Sequence, residues 1–219
     1  ACYYGHLEIV KLLKNAGANL ELQDVNGRTA LMTACENGNL EIAELLINAG
    51  ANLDKNDYLQ KTALMYACEN GYEEIAELLI KKGANLDKND YIKTTALMIA
   101  CYYGYKEIVE LLIDAGANLD IENQDEWGET ALMIACYYGH LEIVKLLKDA
   151  EANLDIQDAD GNTALMIACE RNHVEIARLL KDAGAKLDIE NLEEETALMI
   201  ALDWRHLEIA ELLRKKGAK

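Results

Sequence analysis

Two kinds of apolar stretch alternate along this chain. The first is a short run such as Ala63-Leu64-Met65-Tyr66-Ala67-Cys68, preceded by Thr62 and closed by Gly71. A Thr before such a run reads as a helix N-cap, its side-chain oxygen accepting an early backbone N–H, and the Gly as a breaker. The second is Glu73-Glu74-Ile75-Ala76-Glu77-Leu78-Leu79-Ile80. Its Ile75, Leu78 and Leu79 fall at i, i+3 and i+4, the apolar stripe of an amphipathic helix. Glu74 lies in the first turn, where the helix dipole favours an anion, and Gly83 ends the helix in the left-handed conformation. The polar stretch from Asn85 to Lys93 then suits an extended loop or hairpin.

This helix pair recurs. Thr-Ala-Leu-Met begins at Thr29, Thr62, Thr95, Thr130, Thr163 and Thr196, at intervals of 33, 33, 35, 33 and 33 residues. Such a period predicts an all-α repeat solenoid, whose function is an exposed surface rather than a single cleft. The second-helix framework holds throughout: Glu-Ile at Glu8, Glu41, Glu74, Glu107, Glu142, Glu175 and Glu208, and Leu-Leu at Leu12, Leu45, Leu78, Leu111, Leu146, Leu179 and Leu212. The boundaries fall at 1–28 (partial), 29–61, 62–94, 95–129, 130–162, 163–195 and 196–219 (partial), about six and a half repeats in one domain. The interval of 35 places two extra residues in the loop 120–129. Residues 1–14 are identical to 135–148, the first copy lacks its Thr-Ala-Leu-Met, and the last helix ends in Lys215, Lys216 and Lys219. Arrays normally carry polar caps at their ends, so the expectation is a segment of a larger array.

Composition narrows the chemistry. Ser, Pro and Phe are absent, which removes a serine nucleophile from the chain. The net charge of −18 disfavours nucleic acid, whose binding rests on Lys and Arg at phosphates. The same acidity serves solubility or steers a basic protein partner. No apolar run reaches the roughly 18 residues of a membrane span, so no membrane insertion is expected, and no charged-then-apolar leader marks secretion. Cys2, Cys35, Cys68, Cys101, Cys136 and Cys169 share one repeat position. Stacked helices lie about 8–10 Å apart, too far for disulfides, so these read as small buried apolar residues of a reducing, cytoplasmic compartment. His6, His140, His173 and His206 share one turn column with the same spacing, a structural role rather than a metal site. Asp158-Ala159-Asp160-Gly161 fails as a calcium loop, because Ile156 and Ile167 stand where its first Asp and closing Glu are required. No cofactor motif and no catalytic set is present.

The recurring Thr-x-Leu-x-x-Ala helix start, the Gly turn, Glu-Ile-Val/Ala-x-x-Leu-Leu and Gly-Ala-x-Leu-Asp resemble the ankyrin repeat over the whole chain. The resemblance implies two antiparallel helices plus a β-hairpin finger per unit. It also implies a concave partner surface of finger tips and first helices, and a protein-binding role without chemistry of its own. The family's Pro and His after the Thr are here Ala30 and Met32, and likewise in every copy. The resulting column of Met32, Met65, Met98, Met133, Met166 and Met199 is either core packing or a plastic binding surface. Asp-x-x-Gly before the Thr is kept at Asp24, Asp125 and Asp158, whereas Gln60, Lys93 and Glu194 replace the Gly. A left-handed conformation costs a non-Gly residue about 1–2 kcal/mol, so those three fingers are expected to use another turn. Glu151 likewise replaces a helix-ending Gly.

Columns that vary between copies are the candidate contact surface. The pairs after the Cys position are Tyr3-Tyr4, Glu36-Asn37, Glu69-Asn70, Tyr102-Tyr103, Tyr137-Tyr138, Glu170-Arg171 and Asp203-Trp204. The finger tips vary from Val25-Asn26 through Tyr58-Leu59, Tyr91-Ile92, Glu126-Trp127 and Ala159-Asp160 to Leu192-Glu193. Tyr and Trp are enriched at interface hot spots, so Tyr58, Tyr91, Tyr102, Tyr103, Trp127, Tyr137, Tyr138, Arg171 and Trp204 are the candidate partner-binding residues. The alternative is that each Tyr shields its own helix. Asp87, Asp90, Asp120, Asp125, Asp155 and Asp158 give the fingers an acidic rim suited to a basic partner. The function expected is a protein–protein interaction module with an acidic and aromatic surface. The alternatives are a scaffold or spacer without a groove ligand, and end-to-end self-contact through uncapped terminal repeats.

Overall fold

The computed structural model describes residues 1–123 and 127–214. The chain divides into two compact units, residues 1–118 and 119–219. The first unit holds α1 (Leu7–Asn15), α2 (Ala30–Glu36), α3 (Leu40–Asn48), α4 (Ala63–Glu69), α5 (Glu73–Lys81), α6 (Ala96–Tyr103) and α7 (Lys106–Asp114). The second holds α8 (Ala131–Tyr138), α9 (Leu141–Asp149), α10 (Ala164–Glu170), α11 (Val174–Asp182), α12 (Ala197–Asp203) and α13 (Leu207–Arg214). In each unit a first helix packs on its own second helix and on the first helix of the next repeat, as α4 does on α5 and α6, and α10 on α11 and α12. Each unit is therefore an all-α repeat solenoid. Lys215, Lys216 and Lys219 lie outside the described residues.

The framework columns form the core. Ala34, Ala67, Ala100, Ala135, Ala168 and Ala201 are fully buried where first helices meet. Ile42, Ile75, Ile108, Ile143, Ile176 and Ile209 close the second-helix face. Each such Ile removed from water contributes roughly 1.5–3 kcal/mol. Cys35, Cys68, Cys101, Cys136 and Cys169 are buried as expected, whereas Cys2 is only half-buried. Burial pushes the thiols of Cys35, Cys68 and Cys101 far up and that of Cys169 up to about 12. Such thiols are poor nucleophiles and serve as packing.

Each of the six Thr residues caps its first helix as the sequence implies, and at five of them, all but Thr196, the cap is reciprocal in a way the sequence did not imply. Thr163 Oγ1 accepts the N–H of Met166 at 3.4 Å, and the Thr163 N–H donates to Met166 Sδ at 3.4 Å. The same reciprocal pair forms at Thr29–Met32, Thr62–Met65, Thr95–Met98 and Thr130–Met133. The thioether stands in for the Glu or Gln of an ordinary capping box. Met32, Met65, Met98, Met133 and Met166 are thus core packing that also satisfies a buried donor, whereas Met199 is 46% exposed. Second helices begin without a side-chain cap, because that residue reaches back one repeat instead. Asn39 Nδ2 donates to the Cys2 carbonyl at 2.8 Å, and a ring nitrogen of His206 donates to that of Cys169 at 2.8 Å. The rings of Tyr72, Tyr105 and His173 lie against Gly38, Gly71 and Gly139, where a Cβ would fall 2.6–2.8 Å from them.

The fingers are tight turns, and among the described residues their one β feature is an isolated antiparallel bridge between Asn89 and Thr95. An Asp or Asn clamps each turn by accepting two backbone N–H groups. Asp57 Oδ1 takes those of Leu59 and Lys61, Asp90 those of Ile92 and Thr94, and Asn191 those of Glu193 and Glu195. In the longer finger Asn123 accepts the N–H of Glu129 at 2.8 Å, while Asp125 and Glu126 lie outside the described residues. The expectation of a different turn at Gln60, Lys93 and Glu194 is overturned. All three adopt the left-handed conformation, with φ of 63°, 61° and 61°. The clamp and a backbone bond from finger to finger (Tyr91 N to Leu59 O, 3.2 Å; Leu192 N to Asp160 O, 2.9 Å) hold the turn whatever residue occupies it. Glu151, just after α9, is also left-handed, at φ 64°, and its turn is held by helix-end bonds from Glu151 N to Lys148 O at 3.1 Å and Ala152 N to Leu147 O at 3.0 Å.

The clamps differ in their charge balance. At Asp24, burial pushes the carboxyl pKa upward, but the backbone N–H groups of Arg28 and Asn26 and the Arg28 guanidinium outweigh it and hold it below the ordinary value. At Asp158, burial wins over the N–H groups of Asn162 and Asp160 and raises it. Asp24 therefore adds stability above its unfolded pKa that is lost as pH falls through the folded one. Asp158 adds stability at low pH that is lost as pH rises through its folded pKa. Since Asn191 clamps equally well with an amide oxygen, Asp158→Asn is expected to leave the urea midpoint unchanged or raised at pH 7. Asp24→Asn, which abandons Arg28, is expected to lower it. Midpoints that move together in both variants would contradict this account.

Candidate functional site

The expected contact residues come from two places in each repeat, the finger tip and the last turn of the first helix. In the first unit Tyr58 and Tyr91 sit on finger tips, 70% and 68% exposed. Tyr58 has a second role: its N–H donates to the Asn26 carbonyl at 3.2 Å, and its ring covers Gly27 so closely that a Cβ there would lie 2.6 Å from it. Tyr102 and Tyr103 end α6. Their rings meet edge to face at 4.9 Å, and Tyr103 stacks on Tyr105 at 5.7 Å across the left-handed Gly104. Burial raises the Tyr103 phenol above its ordinary value, and the Glu69 carboxylate beside it adds to the rise.

The second unit repeats the arrangement. Tyr137 and Tyr138 end α8 with ring centroids 5.0 Å apart, and Tyr138 stacks on His140 at 6.2 Å. Arg171, the residue after α10, lays its guanidinium over Tyr137 at 3.7 Å from the ring centroid. Trp127 is exposed on its finger, and its carbonyl accepts the Ala159 N–H at 2.8 Å. Trp204, after α12, is exposed. Tyr91, Tyr102 and Tyr103 thus belong to one unit and Trp127, Tyr137 and Tyr138 to the other.

Sequence reasoning missed the third ring of each aromatic group. Tyr105 and His140 join Tyr103 and Tyr138, as His6 joins Tyr4 at 5.9 Å in the first repeat. The signal was present as Tyr-Gly-Tyr or Tyr-Gly-His, in which the left-handed Gly folds the flanking rings onto one another.

Much of the acidic rim is engaged in the framework. Asp87, Asp120 and Asp155 each accept a backbone N–H from the next repeat's loop, at Asn118, Asn153 and Lys186, over 2.8–2.9 Å. Asp90 and Asp158 are finger clamps. In the first-helix column Glu36 pairs with Arg28 at 2.6 Å and Glu69 with Lys61 at 2.9 Å, tying finger base to helix end. Tyr66 sends its hydroxyl to Asp57 at 2.6 Å, and burial together with that carboxylate pushes its pKa far up. On the second-helix face, Leu141, Lys145, Lys148, Arg178 and Leu179 line an open depression of about 530 Å³. All three of its cations already face acids, Lys145 with Glu142 at 2.6 Å, Arg178 with Glu208 at 3.7 Å, and Lys148 with Asp149. No helix among the described residues is long and apolar enough to cross a membrane.

The repeat geometry has clear counterparts. A family model described as ankyrin repeats (3 copies) matches residues 1–90, 86–158 and 148–219. The crystal structure of the ankyrin repeat domain of Bcl-3, described as a unique member of the IkappaB protein family, is similar at a TM-score of 0.87 and 28% identity. The likeness covers 98% of this chain and 96% of that one. No curated protein matches by sequence.

Proposed function

This chain belongs to the ankyrin repeat family, whose repeats are generally protein–protein interaction modules, and on that premise we propose that it holds a protein partner with a basic surface. The partner would lie on the finger tips and the ends of the first helices. One observation carries this reading: Tyr102, Tyr103, Tyr137 and Tyr138 are exposed although the core beneath each is closed by Ala100, Cys101, Ala135 and Cys136. Shielding the core does not require them, since Glu36-Asn37 and Glu69-Asn70 fill the same place in other repeats. The net charge of −18 would steer a basic partner towards the chain. The buried cysteine column supports a reducing, cytoplasmic setting.

Tyr137→Ala is expected to weaken partner binding by at least about 1 kcal/mol while the unfolding midpoint barely moves. A native pull-down would compare the chain with a Tyr102/Tyr103/Tyr137/Tyr138→Ala variant of matched stability. A protein retained by the first, released by salt and lost by the second supports the reading, whereas equal retention by both sinks it. The exposed Ile9, Leu12 and Leu13 of α1 favour a second reading, self-contact between copies through that face. Sedimentation velocity over a range of concentrations tests it, and a monomer at all of them would dismiss it.

A further inference from the structure

The Tyr137–Arg171 stack bears on how a basic partner would engage the second unit. We propose that the face of Tyr137 is a seat for a partner's guanidinium, and that Arg171 fills this seat from within the chain. Arg171 then holds partner binding down instead of contributing to it. This rests on the basic-partner reading above and adds the seat, the group it takes and the residue that competes for it.

The geometry is that of a satisfied cation–π contact, with the guanidinium carbon 3.7 Å from the ring centroid. The nearest carboxylate partner of Arg171 is Glu170, at 3.8 Å, too far for a hydrogen bond. The side chain is therefore held chiefly by the ring. Residues at the same repeat position behave differently. Asn37 and Asn70 turn inward, their amides donating to the carbonyls of Thr33 and Tyr66 at 2.8 and 2.9 Å to cap their own helices. Arg171 leaves α10 and crosses to the preceding repeat. The chain carries an internal comparison, because residues 1–14 repeat residues 135–148. Tyr3, followed one repeat later by Asn37, is 55% exposed, and Tyr137, followed by Arg171, is 36% exposed. Glu170 occupies the Tyr137 position of the next repeat, 3.8 Å from the Arg171 guanidinium, so a carboxylate beside the seat favours a cation there. A partner guanidinium would replace Arg171 like for like on the ring, and the displaced side chain would return to solvent beside Glu170.

The test is a fluorescence-anisotropy titration of a labelled hexa-arginine peptide at low salt against the full chain. An exposed cation–π contact of about 0.5–1 kcal/mol corresponds to roughly a two- to fivefold change in affinity. Arg171→Ala is expected to bind tighter by about that factor than Arg178→Ala, which removes the same charge from α11, where the guanidinium is 3.7 Å from Glu208. The gain should vanish in Tyr137→Ala/Arg171→Ala. If Arg171→Ala binds no tighter than Arg178→Ala, the competing role is overturned while peptide binding by the wild type still upholds the basic-partner reading. If neither the wild type nor any variant binds the peptide, both fall.

Discussion

Gly161→Ala is expected to destabilise the protein by about 3 kcal/mol, although it adds a single methyl group. Two costs combine. Gly161 has φ 82°, a conformation that costs an L-residue about 1–2 kcal/mol. The new Cβ would also lie 2.9 Å from Leu192 N and 3.0 Å from Asn191 Cα, backbone atoms of the next finger that cannot swing aside like a side chain. Relief requires the fingers to part, which sacrifices the 2.9 Å bond from Leu192 N to the Asp160 carbonyl, worth about 1 kcal/mol. Gly184→Ala shares only the first cost, since nothing lies within 4 Å of a Cβ there. It should lose about 1 kcal/mol. Glycine introduced at Gln60, Lys93 and Glu194 acts in the opposite sense. Each change relieves left-handed strain and returns part of it as chain entropy, for a net gain of about 0.5–1 kcal/mol per site. Urea unfolding gives the signs, and amide exchange at Leu192 locates the damage. A Gly161→Ala chain with the wild-type midpoint and a protected Leu192 amide would mean that finger stacking contributes little.

These effects mark where the sequence stopped being legible. The helices, their Thr caps, the Cys column and the helix-ending glycines could be read because a strict repeat aligns the chain with itself, and each is decided within one repeat. Gln60, Lys93 and Glu194 were misread because a local rule priced the residue alone. Their turns are imposed by the Asp57, Asp90 and Asn191 clamps and by neighbouring fingers. The two-residue insertion hid Asn123, whose side chain accepts the Glu129 N–H in the longer finger. Among the candidate contact residues, exposure was foreseen for every one. The partnerships were not, because Arg171 on Tyr137 and Tyr58 on Gly27 join residues about one repeat apart, and no periodicity within one repeat encodes them.

The Met column gives the second large effect. Met166→Leu keeps nearly the same volume, and such a swap in a core ordinarily costs less than about 1.5 kcal/mol. Here it also deletes the sulfur that accepts the Thr163 N–H at 3.4 Å. Both residues are buried, so water cannot replace the lost acceptor. An orphaned buried donor adds about 1–3 kcal/mol, and the expected total is about 2–3 kcal/mol. Met199 supplies the control within the same unit. It is 46% exposed, and its backbone N–H still reaches Thr196 Oγ1 at 3.4 Å, a bond that Met199→Leu retains. That substitution should cost less than about 0.5 kcal/mol. If the two changes cost the same, the thioether is mere filling. A gap of about 2 kcal/mol would show sulfur serving as the second half of a capping box, which explains how one apolar residue type can occupy a helix-start position without leaving the Thr N–H unsatisfied.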